Sequence, residues 1–123
     1  CESPIIYGSG EATRDFVTVD DVASANVLAL TTQSESAVNQ VYNVASGTSI
    51  SISKLFNTVR DLLAGKNPEI ALVEPSIQPI RDGDILHSST SIEKARTLLG
   101  FNPETDPHRA LVATVEAYWG QRD

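Results

Sequence analysis

Apolar residues follow two rhythms along this chain, one of period two and one near 3.6, and they predict alternating short strands and helices. Pro4-Ile5-Ile6-Tyr7 is a short apolar run that stops at Gly8-Ser9-Gly10, the punctuation of a strand entering a turn. Asp15-Phe16-Val17-Thr18-Val19 alternates and is rich in β-branched residues, which predicts a second strand with Phe16 anchored in the core. Asp20 or Asp21 then offers a side-chain oxygen to cap a helix over residues 22–30, with Val22, Ala25, Ala29 and Leu30 on one face. The polar stretch from Thr31 to Ser36 ends it.

Val41-Tyr42-Asn43-Val44-Ala45 carries the clearest strand pattern. After the Ser46-Gly47-Thr48 turn, Ser51 can cap a helix that carries Ile52, Leu55, Phe56, Val59, Leu62 and Leu63 at helical spacing and stops at Gly65. Residues 70–73 predict another strand, and Pro75 and Pro79 predict an irregular connection over residues 74–80. A third helix is expected after Ser91, through Ile92, Ala95, Leu98 and Leu99 to Gly100. A last helix is expected over residues 107–119, with Ala110, Leu111, Val115 and Tyr118 along one side. Strands interleaved with about four helices imply an α/β layer of short strands under helices.

Length then bounds the picture: 123 residues suit one small domain over residues 1–123, without repeats. No apolar stretch approaches the length that crosses a bilayer, so no membrane partner is expected. Cys1 is the only cysteine, which excludes an internal disulfide, a cysteine zinc cluster and a Cys-x-x-Cys pair, and suggests a cytoplasmic setting. Methionine is absent and Cys1 comes first, so a piece of a longer protein is expected. A net charge of -7 argues against a nucleic-acid surface, which ordinarily presents a basic stripe to phosphates. With nine Lys and Arg in all, an anion site has to be assembled from a few of them placed locally.

The motifs of self-sufficient catalysis are missing from the sequence. Gly8-x-Gly10 has no third glycine, because Thr13 stands where a dinucleotide loop needs one, so no cofactor is expected to bind this chain by itself. Tyr7, Tyr42 and Tyr118 are followed four residues later by Glu11, Ser46 and Arg122, never by the lysine that lowers a phenol pKa for proton transfer. His87 and His108 lie 21 positions apart, outside zinc-protease spacing, and no nucleophile elbow or Walker loop occurs. Two arginine loops remain. Arg14 precedes the second strand, where its guanidinium could reach an anion; taken alone, it reads more simply as ion-paired with Asp15 or Glu11. Arg81-Asp82-Gly83-Asp84 sets a forked donor three residues before an acceptor, the pair a phosphate and a ribose hydroxyl would use together; taken alone, it reads more simply as an acidic turn.

Several motifs in order resemble one family. Tyr7-Gly8-Ser9-Gly10 with Thr13-Arg14-Asp15-Phe16-Val17-Thr18-Val19-Asp20-Asp21-Val22 is similar to the "YGDG...RDFxYVDDV" stretch of the NAD-dependent epimerase/dehydratase family, the extended short-chain dehydrogenases of nucleotide sugars. Val41 to Gly47 resembles its "YNVGSG" strand, Arg81 to Ser88 its "RPGDxxHS" loop, and Ile92 to Pro103 its "ISKAxxxLGWxP" segment. Ser9 and Ser91 depart from the aspartates usual at those positions. The resemblance implies the small C-terminal substrate-binding domain of such an enzyme, without the N-terminal Rossmann half that carries NAD and the catalytic Ser/Thr, Tyr and Lys. It implies a UDP-sugar as ligand, with Tyr7 against the base, Arg14 and Arg81 on the diphosphate and Asp84 accepting from a ribose hydroxyl.

Ser88 borders the sugar pocket by the same resemblance, where a small residue leaves room for an N-acetyl group; it reads equally as the start of the hydrogen-bonded run Ser88 to Ser91. The closest subtypes are then the UDP-glucose and UDP-N-acetylglucosamine 4-epimerases. A dTDP- or UDP-sugar dehydratase, a UDP-glucuronate epimerase or decarboxylase, and a non-catalytic module binding nucleotide sugars or protein stay open. Apolar surface facing the absent half implies self-association.

Overall fold

In the computed structural model, which describes residues 2–104 and 106–121, the elements run β1 (Ile5–Tyr7), β2 (Thr13–Arg14), α1 (Val19–Thr31), β3 (Ile50–Ser51), α2 (Ile52–Ala64), a 3-10 helix (Pro68–Leu72), β4 (Ser76–Gln78), β5 (His87–Ser88), α3 (Glu93–Leu99) and α4 (Pro107–Trp119). Cys1 and Arg122 of the sequence argument lie outside the described residues. This is the expected α/β mixture of short strands and four α-helices, and it divides into two compact units.

All strands belong to the unit formed by residues 1–14, 50–88 and 111–123. β1 pairs in parallel with β4, Ile6 opposite Ile77. β2 is the middle strand of a second sheet, antiparallel to β3 and parallel to β5, so Arg14 stands opposite both Ile50 and Ser88. Ser51 caps α2 as expected, its hydroxyl accepting from the Lys54 N–H at 3.1 Å. Among the described residues of this unit, Ile6, Ile70 and Val115 are the buried apolar side chains, and α2 carries a half-buried face of Leu55, Phe56, Val59, Leu62 and Leu63.

The other unit, residues 15–49 and 89–110, packs α1 and α3 around Ala25, Ala37, Ala45, Ile92, Ala95, Leu99 and Phe101. Phe101 is fully buried just after Gly100, which ends α3 in the left-handed conformation expected of a helix stop. Asp21 is buried, yet its Oδ2 accepts from the Thr18 hydroxyl at 2.8 Å and its Oδ1 from the Glu104 N–H at 3.0 Å, so the carboxylate is satisfied.

Several expectations are corrected. No strand covers residues 15–19: the ladder is confined to Thr13–Arg14, and α1 begins at Val19 because Thr18, rather than Asp20 or Asp21, caps it. Phe16 is 39% exposed and anchors no core, and on α1 the inward face is Asp21, Ala25 and half-buried Leu28, while Leu30 is 85% exposed. Residues 41–45 alternate in burial, with Tyr42 and Val44 turned toward the core and Val41 and Asn43 outward, but they enter no ladder among the described residues. Period two records which side of a segment is covered, and a ladder needs a neighbouring strand as well. Residues 70–73 lie mostly in the 3-10 helix, which Pro68 starts and Asn67 caps, and the strand comes later, as β4 inside the expected irregular stretch. Tyr118 of α4 is 74% exposed, and Trp119 is half-buried instead.

Candidate functional site

Strand β2 sets the first half of the site. The Thr13 N–H donates to the Leu86 carbonyl at 2.8 Å, and the Ile52 and Ser53 N–H groups donate to the Ala12 and Gly10 carbonyls, both at 2.9 Å. Held between two neighbours, β2 places Arg14 on one face with its register partner Ser88, and Thr13 on the other face with His87, whose Nδ1 lies 3.0 Å from the Thr13 hydroxyl. Arg14 donates from Nη1 to the Thr13 carbonyl at 2.8 Å and to the Leu86 carbonyl at 3.4 Å.

The simple ion pairs considered for Arg14 are absent among the described residues. Asp15 accepts instead from the backbone N–H groups of Ser46 at 2.8 Å and Gly47 at 2.9 Å, and Glu11 accepts from the Ser9 hydroxyl at 3.0 Å. Arg14 is therefore a half-buried cation held by carbonyl oxygens, and among the described residues no carboxylate pairs with it and its Nε and Nη2 groups have donors to spare.

The second half is a turn. The Asp84 N–H donates to the Arg81 carbonyl at 3.1 Å, and Gly83 sits at φ 82° inside it; a Cβ there would meet nothing within 4 Å, so the backbone conformation alone selects glycine. Across this turn Arg81 grips Asp84 with two donors, Nε to Oδ2 at 3.1 Å and Nη2 to Oδ1 at 3.3 Å. Its guanidinium also lies 4.5 Å from the centre of the Tyr7 ring. The acidic-turn reading of this loop is thus realised, and the same turn lies against Tyr7.

A cavity of about 240 Å³ brings the two halves together, with Tyr7, Gly10, Arg14, Ile80, Asp84 and Leu86 in its wall. Tyr7, Arg14 and Asp84 share this wall although Arg14 and Asp84 are 70 positions apart, and Arg81 touches two of the three. Ser88 stands beside Arg14 on the ladder, exposed, and is not part of the wall. Gly10 turns the wall: at φ 78° its position for a Cβ would collide with the Ser53 hydroxyl, so glycine is required there by a close approach, whereas Gly8, at φ 77°, would meet Ile80 only at ordinary contact distance and is selected by its backbone conformation.

An aromatic face, two guanidinium groups and one carboxylate can stack on a planar group, hold an anion and accept from a hydroxyl. They do not make a nucleophile with its base, and among the described residues no three His, Cys, Asp or Glu gather as metal ligands. Sequence reasoning missed the Leu86 carbonyl, which anchors Arg14, because a backbone acceptor leaves no trace in residue type. It also missed Asp15 as the clamp of the Ser46-Gly47 turn, although an aspartate and a Gly-containing turn were both in view. No described helix is long and apolar enough to cross a membrane.

Comparison with known proteins gives this geometry a family. The model of the NAD dependent epimerase/dehydratase family matches residues 2–45. A putative UDP-glucose 4-epimerase of Methanocaldococcus jannaschii is 36% identical over 105 residues, which are 85% of this chain and 30% of that protein. Among solved structures, UDP-glucose 4-epimerase from Thermotoga maritima with UDP-glucose superposes with a TM-score of 0.84 at 32% identity, over 99% of this chain and 36% of that one. UDP-N-acetylglucosamine 4-epimerase from Methanobrevibacter ruminantium, in complex with UDP-N-acetylmuramic acid, superposes at 0.82 and 35% identity, over 98% and 36%. The chain spans about a third of the length of these relatives. A shared fold across almost the whole chain, a third of its residues identical, and a family model running from β1 through α1 identify it as a member of the NAD dependent epimerase/dehydratase family, corresponding to the C-terminal part of an extended short-chain dehydrogenase.

Proposed function

We propose that residues 1–123 form the UDP-sugar-binding portion of an NAD-dependent nucleotide-sugar 4-epimerase, inactive without the Rossmann half that holds NAD and the catalytic residues. In this reading Tyr7 contacts the base, Arg14 and Arg81 hold the diphosphate, and Asp84 faces the ribose. The observation that carries it is the shared cavity wall of Tyr7, Arg14 and Asp84, with Arg81 outside that wall but held against two of its members, Tyr7 and Asp84. Arg14 in particular has no carboxylate partner among the described residues, an arrangement that makes sense if an anion supplies the missing charge. A cytoplasmic setting suits a nucleotide sugar and a chain with one cysteine.

The resemblance to UDP-hexose 4-epimerases supports an N-acetylated hexose as the sugar through the small residue Ser88, which stands beside Arg14 on the ladder and outside the cavity wall. Val19, Val27 and Leu30 of α1 and Val41 are all more than half exposed, and apolar surface of this kind supports self-association of the isolated chain.

The test is titration of the protein with UDP, UDP-glucose and UDP-N-acetylglucosamine by isothermal calorimetry and by backbone amide shifts. The expected result is binding of all three, with shifts centred on Tyr7, Arg14 and Asp84 and a preference for the N-acetylated sugar. Binding that leaves those residues unshifted, or no binding by the complete enzyme, refutes the assignment.

A further inference from the structure

The Arg81–Asp84 pair bears on how the proposed anion site works. Both oxygens of Asp84 are engaged by Arg81, at 3.1 and 3.3 Å, in the fork-on-fork geometry peculiar to a guanidinium and a carboxylate. Three constraints act on one side chain: the backbone turn that closes from Asp84 to Arg81, the two-point grip of Asp84, and the Tyr7 ring at 4.5 Å. An arginine 63% exposed to water would otherwise sample many rotamers, and ordering it on binding is a large part of what an anion contact costs. The grip uses Nε and Nη2 and leaves Nη1 without a hydrogen-bond partner among the described residues.

We infer that Asp84 is a positioning residue: it holds the Arg81 guanidinium against the Tyr7 ring before ligand arrives, so that Nη1 is presented to an anionic ligand. This rests on the UDP-sugar reading above and alters one role in it. Asp84 then acts on the phosphates through Arg81, in place of acting only on the ribose. Its charge also repels a diphosphate, so the two effects oppose each other in the measurement. If positioning dominates, removing the charge weakens anion binding; if repulsion dominates, removing it strengthens binding.

The experiment has two arms, run on the complete enzyme and on this chain. In the ligand-free protein, the side-chain δ protons of Arg81 are expected upfield under the Tyr7 ring current, and to return toward ordinary arginine shifts in Tyr7→Leu and in Asp84→Asn. In the second arm UDP and uridine are titrated against the parent, Asp84→Asn, Arg81→Lys and the double variant. Asp84→Asn keeps an oxygen able to accept from a ribose hydroxyl and loses the charged grip. It is expected to weaken UDP on the order of tenfold while changing uridine less than about twofold, as does Arg81→Lys, with the double variant no weaker than either. Equal weakening of UDP and uridine by Asp84→Asn, tighter UDP binding, or an Arg81 shift indifferent to Asp84→Asn overturns the inference. Absence of binding by the parent refutes the UDP-sugar reading instead, and the ring-current arm still decides whether Asp84 positions Arg81.

Discussion

Replacing Gly10 with alanine probes how the cavity wall is built. At φ 78° an alanine adopts the left-handed region at a cost of roughly 1–2 kcal/mol, partly offset by roughly 0.4–1 kcal/mol because alanine also restricts the unfolded chain. The new Cβ would collide with the Ser53 hydroxyl and lie 3.3 Å from the Ser53 Cβ, and forced overpacking of this kind costs roughly 1–3 kcal/mol. Gly10→Ala is therefore expected to destabilise by roughly 2–4 kcal/mol. Gly10→Ala with Ser53→Ala removes the hydroxyl but leaves the 3.3 Å contact and the φ strain, so the pair should recover roughly 1–2 kcal/mol relative to the sum of single effects. Urea unfolding followed by the fluorescence of Trp119, the only tryptophan, gives all four corners of the cycle. A Gly10→Ala variant within about 0.5 kcal/mol of the parent refutes the close approach. An additive cycle refutes Ser53 as the group it meets.

Other outcomes follow from the same geometry. Arg14→Ala in the complete enzyme should remove charge-assisted bonds of roughly 1.5–3 kcal/mol and weaken UDP about tenfold or more, read by calorimetry; an unchanged affinity sinks its role on the diphosphate. Asp15→Asn presents an amide to two backbone N–H donors that need acceptors, and should destabilise by roughly 1–3 kcal/mol in urea melts, with no loss meaning that the Ser46-Gly47 turn is held otherwise. This chain alone should give no epimerase turnover with added NAD and UDP-sugar, and product above a protein-free control refutes that. Sedimentation should show concentration-dependent association that Val41→Lys reduces, because a lysine opposes apolar contact at this exposed position; a strict monomer into the high micromolar range counts against it.

What could be read from the residues was decided by the range of the information they carry. The helices α2, α3 and α4 follow from local signals: Ser51 at a cap, Gly100 past an end, Leu55, Phe56 and Val59 at helical spacing. Strands failed where a ladder depends on a distant neighbour. Thr13–Arg14 is too short for any periodicity, and residues 41–45 have a strand's alternation with no partner among the described residues. The arginine loops were visible as loops, and their juxtaposition came from family resemblance, because nothing local in Arg14 points to Asp84. The reading of Arg14 as ion-paired failed for a related reason: the competing use of Asp15 lies more than 30 residues away, at Ser46 and Gly47.

The place of β2 between β3 and β5 has a consequence for the order in which this molecule acquires its parts. Arg14 meets Ile50 across 36 positions but Ser88 across 74, and each doubling of a closed loop adds only about 0.6 kcal/mol of entropy. The equilibrium hardly notices the difference, whereas the rate does, since long-range pairings wait on the chain's search. During synthesis the wall of the cavity cannot exist until Leu86 has left the ribosome, when α1 and α2 are already complete. A ligand held by this wall would thus recognise only chains that have finished their longest-range pairing, and its presence during refolding would select for them without hastening the helices.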